Sequence, residues 1–157
     1  MYFLILFAGV WLWFIWIADK SRVREFYGAV VYTSFLGLAT DLIMVEYKLW
    51  SYVGLPHPLY TIPLTLDFGM YPVVAYLFLQ HLPSTWGAIF IRALLWTAPA
   101  LLFEWFTLRI GAMHHHQWWR LWMSMIADIF IYLSIAGVFR YYRPAFMDLH
   151  AKETPSR

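Results

Sequence analysis

Long apolar runs separated by short polar connections fill almost the whole chain, and within each run the apolar residues are continuous rather than alternating. Continuous runs of about 20 residues mark helices that cross a hydrocarbon layer about 30 Å thick, whereas barrel strands alternate in and out. Five runs reach or approach this length: Met1 to Ala18, Phe26 to Val45, Pro58 to Gln80, Thr85 to Leu108 and Trp118 to Phe139. As helices they satisfy their own backbone groups, which lipid cannot do for them. The expected fold class is all-α, a polytopic transmembrane helix bundle with about five spans. It forms one transmembrane domain over residues 1–147, followed by a polar cytoplasmic tail over 148–157.

The connections are short. Gly54-Leu55-Pro56-His57-Pro58 reads as a rigid turn, because each proline fixes its own φ and discourages helix in the residue before it. Pro63, Pro72 and Pro99 fall inside the third and fourth runs and predict kinks there. The residues from Asp148 to Arg157 are polar and expected to fray.

Composition agrees with a lipid solvent: 62% of residues are apolar, 22% aromatic and only 13% charged, far from a soluble domain. The chain has no cysteine, which excludes disulfides, thiolate metal sites and cysteine catalysis. Its basic residues sit mostly in connections and tail and give no support to a nucleic-acid partner. They set a direction instead. Lys20, Arg22 and Arg24 follow the first run, no basic residue precedes it and no small-residue cleavage site is evident, so it reads as a retained helix rather than a secretory signal. Placing that cluster in the cytoplasm with Arg140, Arg143, Lys152 and Arg157 leaves only Lys48, Arg109 and Arg120 outside, with Arg92 reaching inward. An outside N-terminus and a cytoplasmic C-terminus follow.

The candidate chemistry lies in the acids. Asp41, Asp67, Glu104 and Asp128 occupy four of the five runs, and a carboxyl at membrane depth is costly enough to mark function by default. The assigned direction carries them toward the outer half, with Asp128 nearest the middle and Glu46 at the boundary. Helical spacing puts Ser34 on the face of Asp41 and Thr97 beneath Glu104. Tyr60 and Tyr71 flank Asp67, and Arg120, Ser124, Asp128 and Tyr132 form one stripe. Packed inward, these faces predict a cavity of carboxylates, hydroxyls and aromatic rings open to the outside or the outer leaflet. For each acid the plain alternative is an interhelical hydrogen bond worth about 1 kcal/mol, and for Asp128 a charge pair with Arg92. The run His114-His115-His116 does not make a metal site, because successive residues of a regular element cannot all aim at one ion. Trp50, Trp86, Trp105, Trp118, Trp119 and Trp122 fall at run ends, where aromatic belts belong.

Between about Trp50 and Pro144, several segments stand out: Leu55 to Pro58, Tyr71-Pro72 through Gln80-His81-Leu82-Pro83, Glu104-Trp105, His116-Gln117-Trp118, and Arg140-Tyr141-Tyr142-Arg143-Pro144. Here the chain resembles a family of small, aromatic-rich, multi-pass integral membrane proteins common in spore-forming bacteria and carrying no assigned activity. The resemblance covers roughly two thirds of the chain. It implies a bacterial cell membrane and singles out His57, Glu104, Trp105 and His116. The histidine triplet and the paired tryptophans depart from the family pattern.

Three functions fit these residues. The first is a module that binds a lipid-like or cationic small molecule through Asp41, Asp67, Tyr71, Glu104, Trp105, Asp128, His57 and His116. The second is a structural or accessory subunit whose acids hold helices to one another, to a protein partner or to a second copy. The third is an acid-catalysed enzyme acting on lipids or terpenoids, with Asp67 and Asp128 as proton donors and aromatic faces stabilising a carbocation. No repeated half points to an alternating-access carrier. The sequence names no cofactor, and membrane lipids are the one partner it implies directly.

Overall fold

The structure, a computed structural model, describes residues 2–153, and side chains through 148. Its helices are α1 (Tyr2–Ile17), α2 (Val23–Glu46), α3 (Tyr71–Gln80), α4 (Trp86–Arg109) and α5 (Leu121–Glu153), with two short strands, β1 (Trp50–Tyr52) and β2 (Met113–His115). Three helical stretches are long and apolar enough to cross a membrane: Lys20–Glu46, Trp86–Arg109 and Leu121–Asp148. Outward-facing side chains such as Trp16, Phe35, Leu95 and Phe130 give the bundle an apolar exterior, which a water-soluble monomer would bury.

The third run is shorter as a helix than its hydropathy predicts. Residues 58–63 form turns, and the helix begins at 64, because Pro56, Pro58 and Pro63 leave no continuous row of N–H donors. A π turn over Leu66–Met70 leads into α3, with Tyr71 N–H donating to Leu66 O five residues back. Pro72 follows at once, so the register shift falls where a helical donor is missing anyway. Pro63 therefore precedes the helix, Pro72 stands at its start, and of these three Pro99 alone lies inside a long helix, α4. The fifth run starts three residues later than expected, at Leu121, after Gln117 adopts a φ of 50°. It continues through Pro144 to Glu153, so the expected frayed tail is helical that far and otherwise lies outside the described residues.

α3 is the central element, buried along Val73 and Ala75 to Leu79. α1 and α2 pack on it, α2 also packs on α5, and α4 packs along α5. Edge-to-face rings join the layers, with Tyr76 centred 5.0 Å from both Phe14 and Phe26.

At the end where α2 starts and α5 emerges, Glu25 takes Arg22 at 2.7 Å and Arg143 at 2.8 Å. The Tyr142 hydroxyl donates to Glu25 O at 2.8 Å and accepts from Ala29 N–H at 3.2 Å. The Asp19 carboxylate, capping the short 3₁₀ turn before α2, is held below its usual range by hydrogen bonds from Ser21.

At the opposite end α2 and α4 terminate alike. Lys48 N–H bonds Val45 O and Leu49 N–H bonds Met44 O; Gly111 N–H bonds Leu108 O and Ala112 N–H bonds Thr107 O. Both are Schellman motifs, whose reversal requires a left-handed residue. It is Gly111 (φ 74°) after α4 but Lys48 (φ 55°) after α2. The two chains released this way pair as an antiparallel ribbon, with Trp50 opposite His115 and Tyr52 opposite Met113. A side chain in that conformation costs about 1 kcal/mol. Lys48→Gly is thus expected to raise the unfolding free energy by about that amount in a detergent–denaturant titration, and an unchanged midpoint would show that the lysine chain contributes an equal stabilisation.

Candidate functional site

Under the ribbon, α2, α3, α4 and α5 enclose a cavity of about 570 Å³, within the range of about 300–1,000 Å³ typical of small-molecule sites. Helical periodicity builds its walls. Thr33, Gly37, Asp41 and Met44 share one face of α2; Trp96, Ala100, Phe103 and Glu104 share one of α4; Ser124, Asp128, Ile131 and Ile135 share one of α5. α3 contributes Tyr71 and Val74, and Trp50, Tyr52, Met113 and Trp119 roof the cavity at the ribbon end.

Asp41 is 2% exposed. Its Oδ1 accepts from the Tyr52 hydroxyl at 2.8 Å, while Oδ2 has no partner. The Trp50 indole, which lies beside it, also makes no hydrogen bond. Glu104 Oε1 accepts from the Ser124 hydroxyl at 2.6 Å, and Ser124 in turn accepts from Trp119 Nε1–H at 3.0 Å. His115 Nε2 is 2.7 Å from the same Glu104 oxygen, a close contact and not a directed hydrogen bond. Asp128 lines the cavity beside Glu104. Asp67 is fully buried with both carboxylate oxygens unpartnered. It sits on the π turn against Gly37, near the Tyr71 ring, behind the wall rather than in it. The Tyr71 phenol is the common neighbour, within electrostatic reach of Asp41, Asp67, Glu104 and Asp128.

The structure thus brings Asp41, Tyr71, Glu104 and Asp128 to one cavity, with Asp67 one layer back. It does not bring His57, Trp105 or His116 there. His57 is exposed on the proline-rich turn, its Nδ1 accepting from Leu59 N–H at 3.2 Å. Trp105 faces outward beneath the Arg109 guanidinium, 5.3 Å from its ring. His116 bonds the Ser51 hydroxyl at 2.7 Å on the exposed side of the ribbon. Alternation along a strand sends neighbouring side chains to opposite faces, so His115 turns inward while the rings of His114 and His116 lie on the other side, 6.5 Å apart. On α2 the buried hydroxyl is Thr33, which bonds Ala29 O, in place of Ser34; Thr33 and Asp41 are eight positions apart, a spacing that holds the same face. Tyr60 is exposed and remote. The Arg92–Asp128 pair, the plain alternative for that acid, does not form; Arg92 binds the carbonyls of Phe78 and Leu77 at 2.9 and 3.2 Å.

Tyr52, Trp119 and His115 enter the site through the ribbon, and no hydropathy pattern marks them. Among the described residues no group of three or more His, Asp or Glu side chains is placed to hold a metal ion. Together these features define a helical bundle, with three helices suited to crossing a membrane, around an acidic, aromatic cavity. Compared with known proteins, the chain matches no family model, no curated protein and no solved structure.

Proposed function

We propose that this chain is a multi-pass integral membrane protein of a bacterial cell membrane, and that it binds a lipid-like or cationic ligand in the cavity beneath the ribbon. In this reading all five helices cross the bilayer. α1, at 16 residues, spans about 24 Å, and α3 with the helical turns before it, over 64–80, about 25 Å, shortfalls that local thinning accommodates. The ribbon end faces outside, since Lys20, Arg22, Arg24, Arg140 and Arg143 gather at the other. Membership of the spore-former family suggested by the sequence is part of the same proposal.

The observation that carries it is the charge character of the cavity wall: Asp41, Glu104 and Asp128 line it, and among the described residues no lysine or arginine does. An uncompensated carboxylate in a low-dielectric interior costs several kcal/mol. A cationic or hydrogen-bond-donating head group seated among these three removes that penalty, and Trp96, Phe103 and Ile131 supply surface for an apolar body. Asp67, set behind Tyr71, belongs to the scaffold. The catalytic alternative then rests on Asp128 alone.

Native mass spectrometry of the gently extracted protein tests this. The wild type is expected to retain one amphiphile of defined mass, and Asp41→Asn and Glu104→Gln to lose it at least ten-fold while melting near the wild-type temperature. Bulk lipid alone on a folded wild type, or equal retention by both folded variants, would refute the binding reading and favour the structural one.

A further inference from the structure

The cavity is closed toward the ribbon and open to the side. Trp50, Met113 and Trp119, each under a tenth exposed, lie across its roof. Its wall also includes Trp13 of α1 and Leu95 of α4, which are 48% and 69% exposed on the outside of the bundle. The cavity therefore reaches the exterior between these two helices. The helix packing explains the gap, since α4 packs chiefly along α5 and, on the α3 side, meets Phe78 through the Trp96 ring, 6.2 Å between centroids. Two polar ties flank the opening. Tyr2 and Thr107 hydroxyls meet at 3.1 Å near the ribbon, and Arg92 holds the last carbonyls of α3 toward the other end. Leu95 lies between those ties.

We infer that this opening is a lateral slot through which one alkyl chain of a cationic, long-chain amphiphile passes from the bilayer, with its head group held by Asp41, Glu104 and Asp128. The inference rests on the binding reading above and adds to it the source and shape of the ligand. Two independent features point to the same occupant. The polar end offers Asp41, which is 2% exposed, lines the cavity and makes no hydrogen bond through Oδ2, while the Trp50 N–H beside the carboxyl also makes none; a head group with N–H or O–H groups completes the carboxyl. The slot end offers only apolar and aromatic surface and faces what would be lipid chains. Along α4 the two ends are separated by the rise from Leu95 to Glu104, about 14 Å, so a ligand filling both is elongated. A small hydrated cation would use the acids and leave the slot without a purpose, while a two-chain lipid would have to leave one chain outside.

The test uses the full chain in lipid nanodiscs with a long-chain primary alkylamine carrying a mid-chain diazirine, and a short, water-soluble alkylamine as competitor. In wild type, photolysis should label residues around Trp13 and Leu95. Asp41→Asn should lower labelling at equilibrium at least ten-fold. Leu95→Trp, an exposed position that leaves packing intact, should slow labelling at least ten-fold, and Trp13→Ala should accelerate it. Unchanged rates in both slot variants would overturn the slot while leaving head-group binding in place. Full competition by the short amine at the same concentration would overturn the need for a chain. Absence of labelling in wild type by the long amine, together with no protection of the protein by the short one, would remove this inference and the binding reading at once.

Discussion

Gly37→Leu is expected to lower the unfolding free energy by about 3 kcal/mol and to reduce the yield of folded protein sharply. Gly37 is where α2 crosses the start of α3. A Cβ there would sit 2.5 and 3.0 Å from two ring carbons of Tyr71 and 3.1 Å from Asp67 Oδ1, the first closer than non-bonded carbons approach and the others tighter than most contacts. Small residues at such crossings let helix backbones approach closely in a membrane. The Tyr71 ring can give way only toward the cavity it lines, and Asp67 beside it is fully buried, so the cost is shared between that shift and the interhelical spacing. Gly9 provides the control, because a Cβ there meets nothing within 4 Å; Gly9→Leu should leave stability unchanged or slightly raised by better helix propensity. Denaturant titration in mixed micelles, read by far-UV circular dichroism, measures both. Equal midpoints for the two variants would mean that α2 and α3 do not cross at Gly37.

The second large effect is expected at Arg92. Its guanidinium donates to Phe78 O and Leu77 O, two of the carbonyls that a helix leaves unpaired at its C-terminus. It also lies 5.6 Å from the ring centroids of both Phe78 and Trp96. Hydrogen bonds from a charged donor contribute about 1.5–3 kcal/mol each, and the site is only partly buried, which reduces that contribution through water. Arg92→Met should therefore cost about 2–3 kcal/mol. Arg92→Lys should recover less than half of it, since an ammonium lacks the planar fork that reaches two acceptors and stacks on rings. If Arg92→Lys proves as stable as wild type, the contribution is charge alone and the fork geometry is irrelevant. Because Arg92 joins α3 to α4 below the lateral slot, the methionine variant should also accelerate labelling by the photoreactive amine.

Some of the site was legible because it depends on one helix at a time. Asp41, Glu104 and Asp128 fall on the inward faces that spacing assigned them, and the expected stripe holds from Ser124 through Asp128 to Tyr132 but not at Arg120, which stands exposed before α5 and binds the carbonyls of Gln117 and Trp119. Other parts were misread where two structural choices looked alike in sequence. The histidine triplet gives no helical or strand periodicity by itself, and only pairing with Trp50 to Tyr52 makes it a strand that turns His115 inward. Asp67 looked equivalent to the other acids, yet the π turn that carries it places Tyr71 in the wall and the carboxyl behind it.

Composition and run length by themselves determined that the chain is helical and apolar outside, because a backbone without water must bond to itself and long side chains must face a matching solvent. They also fixed the basic end and the faces on which acids lie. The ribbon that roofs the cavity, the partner of Arg92 and the open side of the bundle were decided only by tertiary structure. Each depends on contacts between residues far apart in sequence, such as Tyr52 with Met113 or Arg92 with Phe78, and hydropathy, which reports each residue's preference for solvent, carries no information on which distant neighbour satisfies it.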